Sequence, residues 1–434
     1  MTEPGANTPF VAIACGGTGG HLFPGLAVAE QLTRRGCAVT LLISPKDVDQ
    51  QAVKSARGME IITLPAVALQ NRNYVPFARS FWQSWRASRK IFKSRPPHAV
   101  LAMGGFTGAP PILAAKKSGA KTFLHESNTI PGRANRFLAR FVDEVFAGFP
   151  EAVARFRGTP PGRIKLMGTP VRPQFRWGEA TDEPARGDAR PTKVVQCRAA
   201  LGLEPDRQTI LVMGGSQGAS GVNEIILSAL PLLADRGWQW LHLTGANGFE
   251  KVKQAYAARE FKAVVKPFLA EMDLALGAAT AAVSRAGASS LAELAAMRLP
   301  SLLVPFPAAA NNHQFFNARA FEMTGAAHLL EQKDATPEKV AALLRALVEN
   351  ETARTATQAA LAQWHAPKAA EQIAENILQA IGEPALKRAK HQTPISREIS
   401  SSNNQTMSRA GILGAWFLMF LWSLNVGAWN LFCQ

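Results

Sequence analysis

The stretch FVAIACGGTGGHLFPGLAVAEQLTRRG, residues 10–36, decides the fold. It opens on an apolar run, Phe10–Cys15, of the kind that forms a strand buried on both faces. A glycine-rich turn follows, Gly16-Gly17-Thr18-Gly19-Gly20-His21. A helix is then expected from Pro24, because proline suits a first helical turn and Gly36 stands just past the end. Strand, glycine turn and helix in this order open a β-α-β unit. Glycine lets the backbone approach a ligand, and a helix N-terminus offers N–H groups to an anion. Taken alone, the loop has a second reading as a tight turn with no ligand.

Outward from this stretch the pattern repeats. Val39–Ile43, Glu60–Leu64, Ala99–Met103, Lys121–Leu124, Glu144–Ala147 and Ile164–Met167 read as strands separated by helical windows. Around 177–207 the chain turns rich in Pro, Gly, Asp and Arg, which reads as a linker or surface insertion. The alternation restarts at Thr209–Met213, which runs into Gly214-Gly215-Ser216-Gln217-Gly218-Ala219. Leu241–Thr244, Val264–Lys266, Ala281–Ser284 and Ser301–Val304 are further strands, and a helical region, Pro337–Ile381, closes the module. The expected fold class is α/β, with two Rossmann-like doubly wound domains.

Bulk properties bound the function. The chain has 434 residues, 47% of them apolar, enough for two large cores. Its formal charge of +16 favours anionic partners: phosphorylated substrates, anionic lipid or nucleic acid. Cys15, Cys37, Cys197 and Cys433 form no CxxC pair and no zinc spacing, so they read as reduced thiols in a cytosolic protein. Residues 1–9 lack the basic and apolar regions of a signal peptide. The C-terminus is apolar from 410 to 433, about a bilayer's span as a helix, behind a polar, basic stretch at 383–409. It reads either as a transmembrane or membrane-embedded segment or as an extension without a role.

Three glycine turns, after Cys15, after Met103 (Gly104-Gly105-Phe106) and after Met213, should face one crevice beyond the strand ends. A nicotinamide site is disfavoured. The GxGxxG frame from Gly17 ends at Leu22, and the second strand ends at Ser44 with no acid to hold a ribose. No GxxxxGK[ST] loop occurs, which disfavours a P-loop NTPase. Ser284-Arg285-Ala286-Gly287-Ala288-Ser289-Ser290-Leu291-Ala292-Glu293 reads as strand, turn and helix. Ser289 and Ser290 lie near the helix start, where a phosphate fits, and Glu293 lies a turn further on. Glu293 could accept from ribose hydroxyls or serve only as a helix N-terminal charge.

The ordered markers GGTGGHLFPGLAVA, MGGF, HESNTIPG, MGTPVR, GGSQGA, SRAGASSLAE and NNHQFFNA carry a close resemblance to the MurG family. These are bacterial undecaprenyldiphospho-muramoylpentapeptide β-N-acetylglucosaminyltransferases, and the resemblance covers roughly Phe10 to Ile381. It implies a GT-B type fold and inverting transfer of GlcNAc from UDP-GlcNAc to the 4-hydroxyl of MurNAc in lipid I, giving lipid II. It further implies 8–176 as an acceptor and membrane-side domain, with 366–382 crossing back to it, and 208–365 as the UDP-GlcNAc side. By motif position, Ser216 should contact the diphosphate, Leu269 the uracil through its backbone, and Arg172 the nucleotide. Ala288, Ser289, Ser290, Leu291, Ala292 and Glu293 should line the diphosphate and ribose. Asn128 and Gln314 should contact the GlcNAc, and Thr18, Gly19 and Gly20 should line the cleft between donor and acceptor.

No cofactor and no metal are expected, since no DxD-like pair stands in a glycine loop. Backbone N–H groups could instead stabilise the departing UDP. His21 is the candidate catalytic base, with binding of the acceptor diphosphate as its other reading. His125 and Glu126 are lesser candidates that read better as a structural pair. Phe77, Phe81, Trp85, Ser88 and Phe92 fall at helical spacing among Arg79, Arg86, Arg89, Lys90 and Lys93. That stripe suits either the core or an interfacial helix on anionic lipid, extended by Arg133, Arg136 and Arg140. The expected partners are UDP-GlcNAc, lipid I, an anionic membrane surface and other cell-wall synthesis proteins, but no nucleic acid. The expected location is peripheral, on the cytoplasmic face of the inner membrane.

Overall fold

The structure, a computed structural model, describes residues 8–46, 49–50, 53, 58–67, 74–160, 162–175, 194–215 and 219–389. Among these residues the chain forms two sheets. The first contains β1 (Phe10–Ala14), β2 (Ala38–Ile43), β3 (Glu60–Thr63), β4 (Ala99–Ala102), β5 (Lys121–Glu126), β6 (Glu144–Ala147) and β7 (Ile164–Leu166). The second contains β8 (Thr209–Met213), β9 (Gln239–Leu243), β10 (Ala263–Lys266), β11 (Ala281–Ser284), β12 (Ser301–Leu303) and β13 (His328–Leu329). Helices α1 (Gly19–Arg34), α2 (Tyr74–Ser94), α3 (Ala109–Ser118), α4 (Arg133–Leu138) and α5 (Pro150–Val153) accompany the first sheet. With the second come α6 (Val194–Ala200), α7 (Ser220–Ala229), α8 (Phe249–Ala257), α9 (Met272–Ala278), α10 (Ala288–Ala296), α11 (His313–Met323), α12 (Pro337–Glu349) and α13 (Glu351–Trp364), and α14 (Ala369–Ala389) ends the fold.

The strand orders are β3-β2-β1-β4-β5-β6-β7 and β10-β9-β8-β11-β12-β13. Every pairing is parallel; Ile13, for example, stands opposite both Leu41 and Leu101. Each sheet reverses its direction of growth once, between β1 and β4 and between β8 and β11. A crevice opens beyond the carboxyl ends of the strands at such a point. The four strands that border the two crevices run into Gly16-Gly17, Gly104-Gly105, Gly214-Gly215 and Gly287. These are two doubly wound Rossmann-like units, the GT-B arrangement expected from the sequence.

Alternation along β1 explains the layers. Val11, Ile13 and Cys15 pack with Leu22, Leu26 and Val28 of α1 and with Ile373 and Ile377 of α14. Phe10, Ala12 and Ala14 face the opposite layer, with Phe77, Trp85 and Phe92 of α2 and Ile112 of α3. That layer is continuous with the core under the second sheet. Phe149 links the halves by packing on Phe321 and Trp364, whose rings stack at 4.5 Å between centroids. The last helix is fastened to the first half by Arg35, which pairs with Glu371 at 2.9 Å, and by Lys165, which donates to Asn376 at 2.5 Å.

Several sequence expectations change. Helix α1 begins at Gly19 rather than at Pro24, because the Thr18 carbonyl accepts from the N–H groups of His21 and Leu22 and closes a turn over the glycines. The region 177–207 is not linker throughout. Helix α6 packs on α9, and the Arg198 guanidinium donates to the carbonyls of Ala278 (2.9 Å) and Pro205 (2.7 Å). The helical region 337–381 is three helices, since the Asn350 side chain accepts from Ala353 N at 3.0 Å and starts α13. The two-residue β13 had no periodicity to reveal it. The stripe Phe77, Trp85, Ser88 and Phe92 faces the core, with Phe81 half-buried, so only the opposite face of α2 is free for other contacts. Helix α14 runs to Ala389, into the stretch read as a polar linker; the apolar tail lies outside the described residues. Among the described residues no helix is long and apolar enough to cross a membrane.

Candidate functional site

A cleft of about 1770 Å³ lies between the two sheets and is lined by all four glycine loops. Pockets for one small molecule run to roughly 1,000 Å³, so this one has room for two substrates. The N-termini of α1, α7 and α10 all open into it. None of the three carries an acidic residue in its first turn, whereas α5, α12 and α13 carry Glu151, Glu338 and Glu351 there. The positive ends of three helix dipoles are thus left uncompensated by the chain itself, an arrangement suited to a ligand with several negative charges.

Pro24 explains how two of these helix ends are locked together. Its missing N–H leaves the carbonyl four residues back, that of Gly20, without an intrahelical donor. The Ser289 hydroxyl of α10 donates to that carbonyl at 3.0 Å. The proline inside α1 therefore creates the acceptor by which the second half grips the first turn of α1.

His21 sits in that turn. Its imidazole packs against the Gly104-Gly105 loop, where a Cβ on either residue would come within 3.1 Å of the ring. Both glycines also have positive φ, 99° and 75°, so other residue types are excluded on two grounds. Its Nδ1 is shut off from solvent, and the residue lines the cleft. Burial lowers the His21 pKa from its usual 6.5, against the weaker opposing pull of the Glu126 carboxylate and the Met103 carbonyl. The imidazole is neutral at pH 7 and can accept a proton.

Glu126, at the end of β5, is buried and organises the loop beyond it. One carboxylate oxygen accepts from Asn128 N (2.9 Å) and Asn128 Nδ2 (3.0 Å), and the other from Gly132 N (2.9 Å) and Asn135 Nδ2 (2.7 Å). His125 is buried and faces the Gly168 carbonyl (3.0 Å) and Ser127 Oγ (3.2 Å); burial pushes its pKa down to about 4. The two side chains hold separate sets of partners rather than each other, and Glu126 also borders the cleft.

The expected substrate-binding residues come from both halves of the molecule. Thr18, Gly19, Gly20, Asn128, Arg172, Leu269, Ala288, Ser289, Ser290, Glu293 and Gln314 all line the cleft. Leu291 does not: its side chain is packed in the core, as helical periodicity requires two residues after Ser289. Ala292 is half-buried away from the cleft, and Ser216 lies outside the described residues. Glu293 is nearly enclosed, with Arg172 at 3.9 Å. Burial raises its pKa to about 7 even though Arg172 pulls the other way. Arg172 itself lies over the rings of Phe23 (4.2 Å) and Phe175 (5.0 Å). Gln314 turns its Oε1 to Phe306 N at 2.9 Å.

Sequence reasoning missed the residues that hold this machinery in place. Asp49 is fully buried and accepts from Gly17 N (2.6 Å), Ser44 N (3.1 Å) and Ser44 Oγ (2.5 Å). It lies just beyond the strand whose end was searched for a ribose-binding acid. Thr107 Oγ1 ties down the Gly16 carbonyl at 2.5 Å. Arg285 donates to the carbonyls of Val304 (3.1 Å) and Pro305 (2.9 Å) and to Gln332. Asn317 bridges the two halves. It stood inside a quoted motif, but only as an unassigned polar residue.

The chain matches two family models: the glycosyltransferase family 28 N-terminal domain over residues 11–147 and the family 28 C-terminal domain over 209–375. It is 35% identical over 370 residues to a protein of Anaeromyxobacter sp. (strain Fw109-5), covering 84% of this chain and 91% of the relative. That protein is named UDP-N-acetylglucosamine--N-acetylmuramyl-(pentapeptide) pyrophosphoryl-undecaprenol N-acetylglucosamine transferase. A protein of the same name from Citrifermentans bemidjiense is 36% identical over 353 residues, covering 78% of this chain and 90% of its own. Among solved structures, the MurG of Acinetobacter baumannii superposes with a TM-score of 0.65 at 25% identity, over 86% of this chain and 99% of that one.

Proposed function

The chain belongs to glycosyltransferase family 28, among its MurG enzymes, and on that premise we infer that it moves GlcNAc from UDP-GlcNAc to lipid I, giving lipid II for peptidoglycan synthesis. The observation that carries this reading is the cleft in which three acid-free helix N-termini converge, one of them bearing a histidine that burial keeps neutral. The helix termini suit a nucleoside diphosphate, and the histidine suits a hydroxyl nucleophile.

Transfer is a single displacement. The 4-hydroxyl oxygen of MurNAc attacks the anomeric carbon of GlcNAc from the face opposite UDP, and His21 Nε2 takes its proton. The C–O bond to the β-phosphate breaks with its electron pair on UDP. The charge that develops there is met by the N–H groups of α1, α7 and α10. Arg172 and Ser290 lie on the nucleotide side, with Ser216 assigned there by motif position; Glu293 accepts from the ribose hydroxyls, Leu269 holds uracil, and Asn128 and Gln314 hold the sugar. Turnover with UDP-GlcNAc against UDP-glucose and UDP-galactose, with lipid I as acceptor, tests the donor assignment. A preference for either hexose would assign the chain to glycolipid synthesis instead.

Glu293 makes donor binding depend on pH. An ionised carboxylate accepts from two hydroxyls through both oxygens, whereas protonation turns one oxygen into a donor, and burial raises the Glu293 pKa to about 7 in the free protein. Because this value is raised above the ordinary 4.5, the free folded chain favours the protonated form, and ionisation on raising pH through 7 opposes folding. Donor hydroxyls favour the ionised form. UDP-GlcNAc affinity is therefore expected to rise as pH increases towards about 7 and to level off above it. Titration calorimetry between pH 5.5 and 8.5 measures this, and the slope should vanish in Glu293→Gln. An equal slope in both proteins would remove Glu293 from the ribose site.

The outer face of α2 supports peripheral attachment to the membrane, here assigned to the cytoplasmic face. Val75 and Trp82 are 78% and 52% exposed, and Arg79, Arg86, Arg89, Lys90 and Lys93 surround them. Each basic residue near an anionic surface contributes about 1 kcal/mol. Arg86→Glu with Lys90→Glu should therefore lower partitioning onto vesicles of anionic phospholipid at least about tenfold, with UDP-GlcNAc binding unchanged. Equal partitioning of the native chain and the double variant in a vesicle sedimentation assay would place the membrane contact elsewhere.

A further inference from the structure

The sugar end of the cleft is crossed by a hydrogen-bond chain whose central member has no role in the mechanism above. Asn317, on α11 of the second half, is fully buried. Its Oδ1 accepts from the backbone N–H of Thr129 (3.0 Å) and from Thr129 Oγ1 (2.9 Å). Its Nδ2 donates to the carbonyl of Ala286 (3.2 Å) and to Asn128 Oδ1 (3.0 Å). A backbone N–H can only donate and a backbone carbonyl can only accept, so these two partners fix which way the Asn317 amide points. Both lone pairs of its oxygen and both of its N–H groups are used.

The polarity passes on to Asn128. Its oxygen is drawn to Asn317 Nδ2, and its own Nδ2 donates to the Glu126 carboxylate at 3.0 Å. An amide held at both ends in this way cannot flip. Of its two N–H groups and two lone pairs, one N–H and one lone pair remain for the cleft. A sugar hydroxyl donates and accepts through one oxygen, and it matches that pair only in one orientation on the ring. Rotation of the Asn128 amide would exchange donor for acceptor and remove the preference.

We propose that Asn317 is a positioning residue that sets donor-sugar selectivity by fixing the Asn128 amide. This rests on the reading of the donor as UDP-GlcNAc held at Asn128. Glu126 and Asn128 belong to the first half and Asn317 to the second, so the fixed amide exists only while the halves are together. Sugar selection is thereby tied to closure of the cleft. The nucleotide is assigned above to other residues, Leu269, Ser290 and Glu293 among them, so UDP affinity is expected to depend little on the Asn128 amide.

The test uses the full-length protein, lipid I, and two donors that differ only in the orientation of the 4-hydroxyl, UDP-GlcNAc and UDP-GalNAc. Asn317→Asp keeps the shape and the acceptors for Thr129 but turns an oxygen toward Asn128 Oδ1 and the Ala286 carbonyl. The ratio of kcat/KM for the two donors is expected to fall about tenfold, with the Kd of UDP unchanged to within about twofold. In an Asn128→Ala background, Asn317→Asp should leave the ratio where Asn128→Ala puts it. Should Asn317→Asp fail to fold by circular dichroism, Thr129→Val removes one Asn317 partner and is expected to lower the ratio about threefold. An unchanged ratio in a folded variant would overturn the proposal, as would UDP affinity falling in step with turnover. So would an equal effect of Asn317→Asp with and without Asn128. Failure of the native chain to use UDP-GlcNAc with lipid I would instead refute the functional reading beneath it.

Discussion

Replacing His21 with alanine is expected to cut kcat about 10²- to 10⁴-fold while the Michaelis constant for UDP-GlcNAc stays within about twofold of native. Proton transfer from the acceptor hydroxyl occurs only in the transition state, so losing the base lowers turnover without loosening the donor. The sequence left two roles open for this residue, base or diphosphate binder. We favour the base on grounds of charge. A ring that binds diphosphate gains from being protonated, whereas burial on the Gly104-Gly105 loop keeps this one neutral. With its pKa below 6.5, the active form persists above that value, and kcat of the native enzyme at saturating UDP-GlcNAc should fall only as pH drops beneath it. Steady-state kinetics from pH 5 to 9 on the native chain and His21→Ala check both points. A variant with near-native kcat and a raised Michaelis constant for lipid I would return His21 to diphosphate binding.

Glu126→Ala should be the most damaging change to the fold near the cleft. The carboxylate satisfies four N–H donors in a buried loop, and removing it strands them together. Breaking such a buried charged network costs about 3–5 kcal/mol, which for one domain of this size lowers Tm by roughly 6–20 °C. Activity should fall as well, because Asn128 loses one of the two groups that orient it. Glu126→Gln keeps the volume and one acceptor oxygen, so its melting temperature should lie between the two. Differential scanning calorimetry measures the order. A Glu126→Ala chain that melts with the native one would mean that the loop is held by something else.

Much of this was legible in the sequence, for identifiable reasons. Strands buried on both faces are continuous apolar runs, so β1, β4, β8 and β11 could be placed from composition alone. The glycine loops were legible because close approach to a ligand demands that residue type. The start of α1 was misplaced because Pro24 is a strong helix-start signal. Here it acts inside the helix, freeing the Gly20 carbonyl for Ser289, a partner far away in sequence. Leu291 was assigned to the cleft with its neighbours because a motif is contiguous, whereas a helix turns consecutive side chains to different faces. Asp49 and Asn317 escaped notice for one physical reason. Their roles lie in long-range hydrogen bonds to backbone atoms, which leave no periodicity or spacing behind. The aromatic stripe of α2 was ambiguous because a core-facing stripe and a membrane-facing one have the same period.

The central claim is the transfer itself. The full chain is incubated with UDP-GlcNAc labelled in the sugar and with lipid I in detergent, and the lipid fraction is extracted and hydrolysed. The account predicts label in the lipid fraction, released as a β-linked GlcNAc–MurNAc disaccharide, with UDP formed in equal amount. Label that stays in the aqueous phase as UDP-GlcNAc, with lipid I unconsumed, would contradict it.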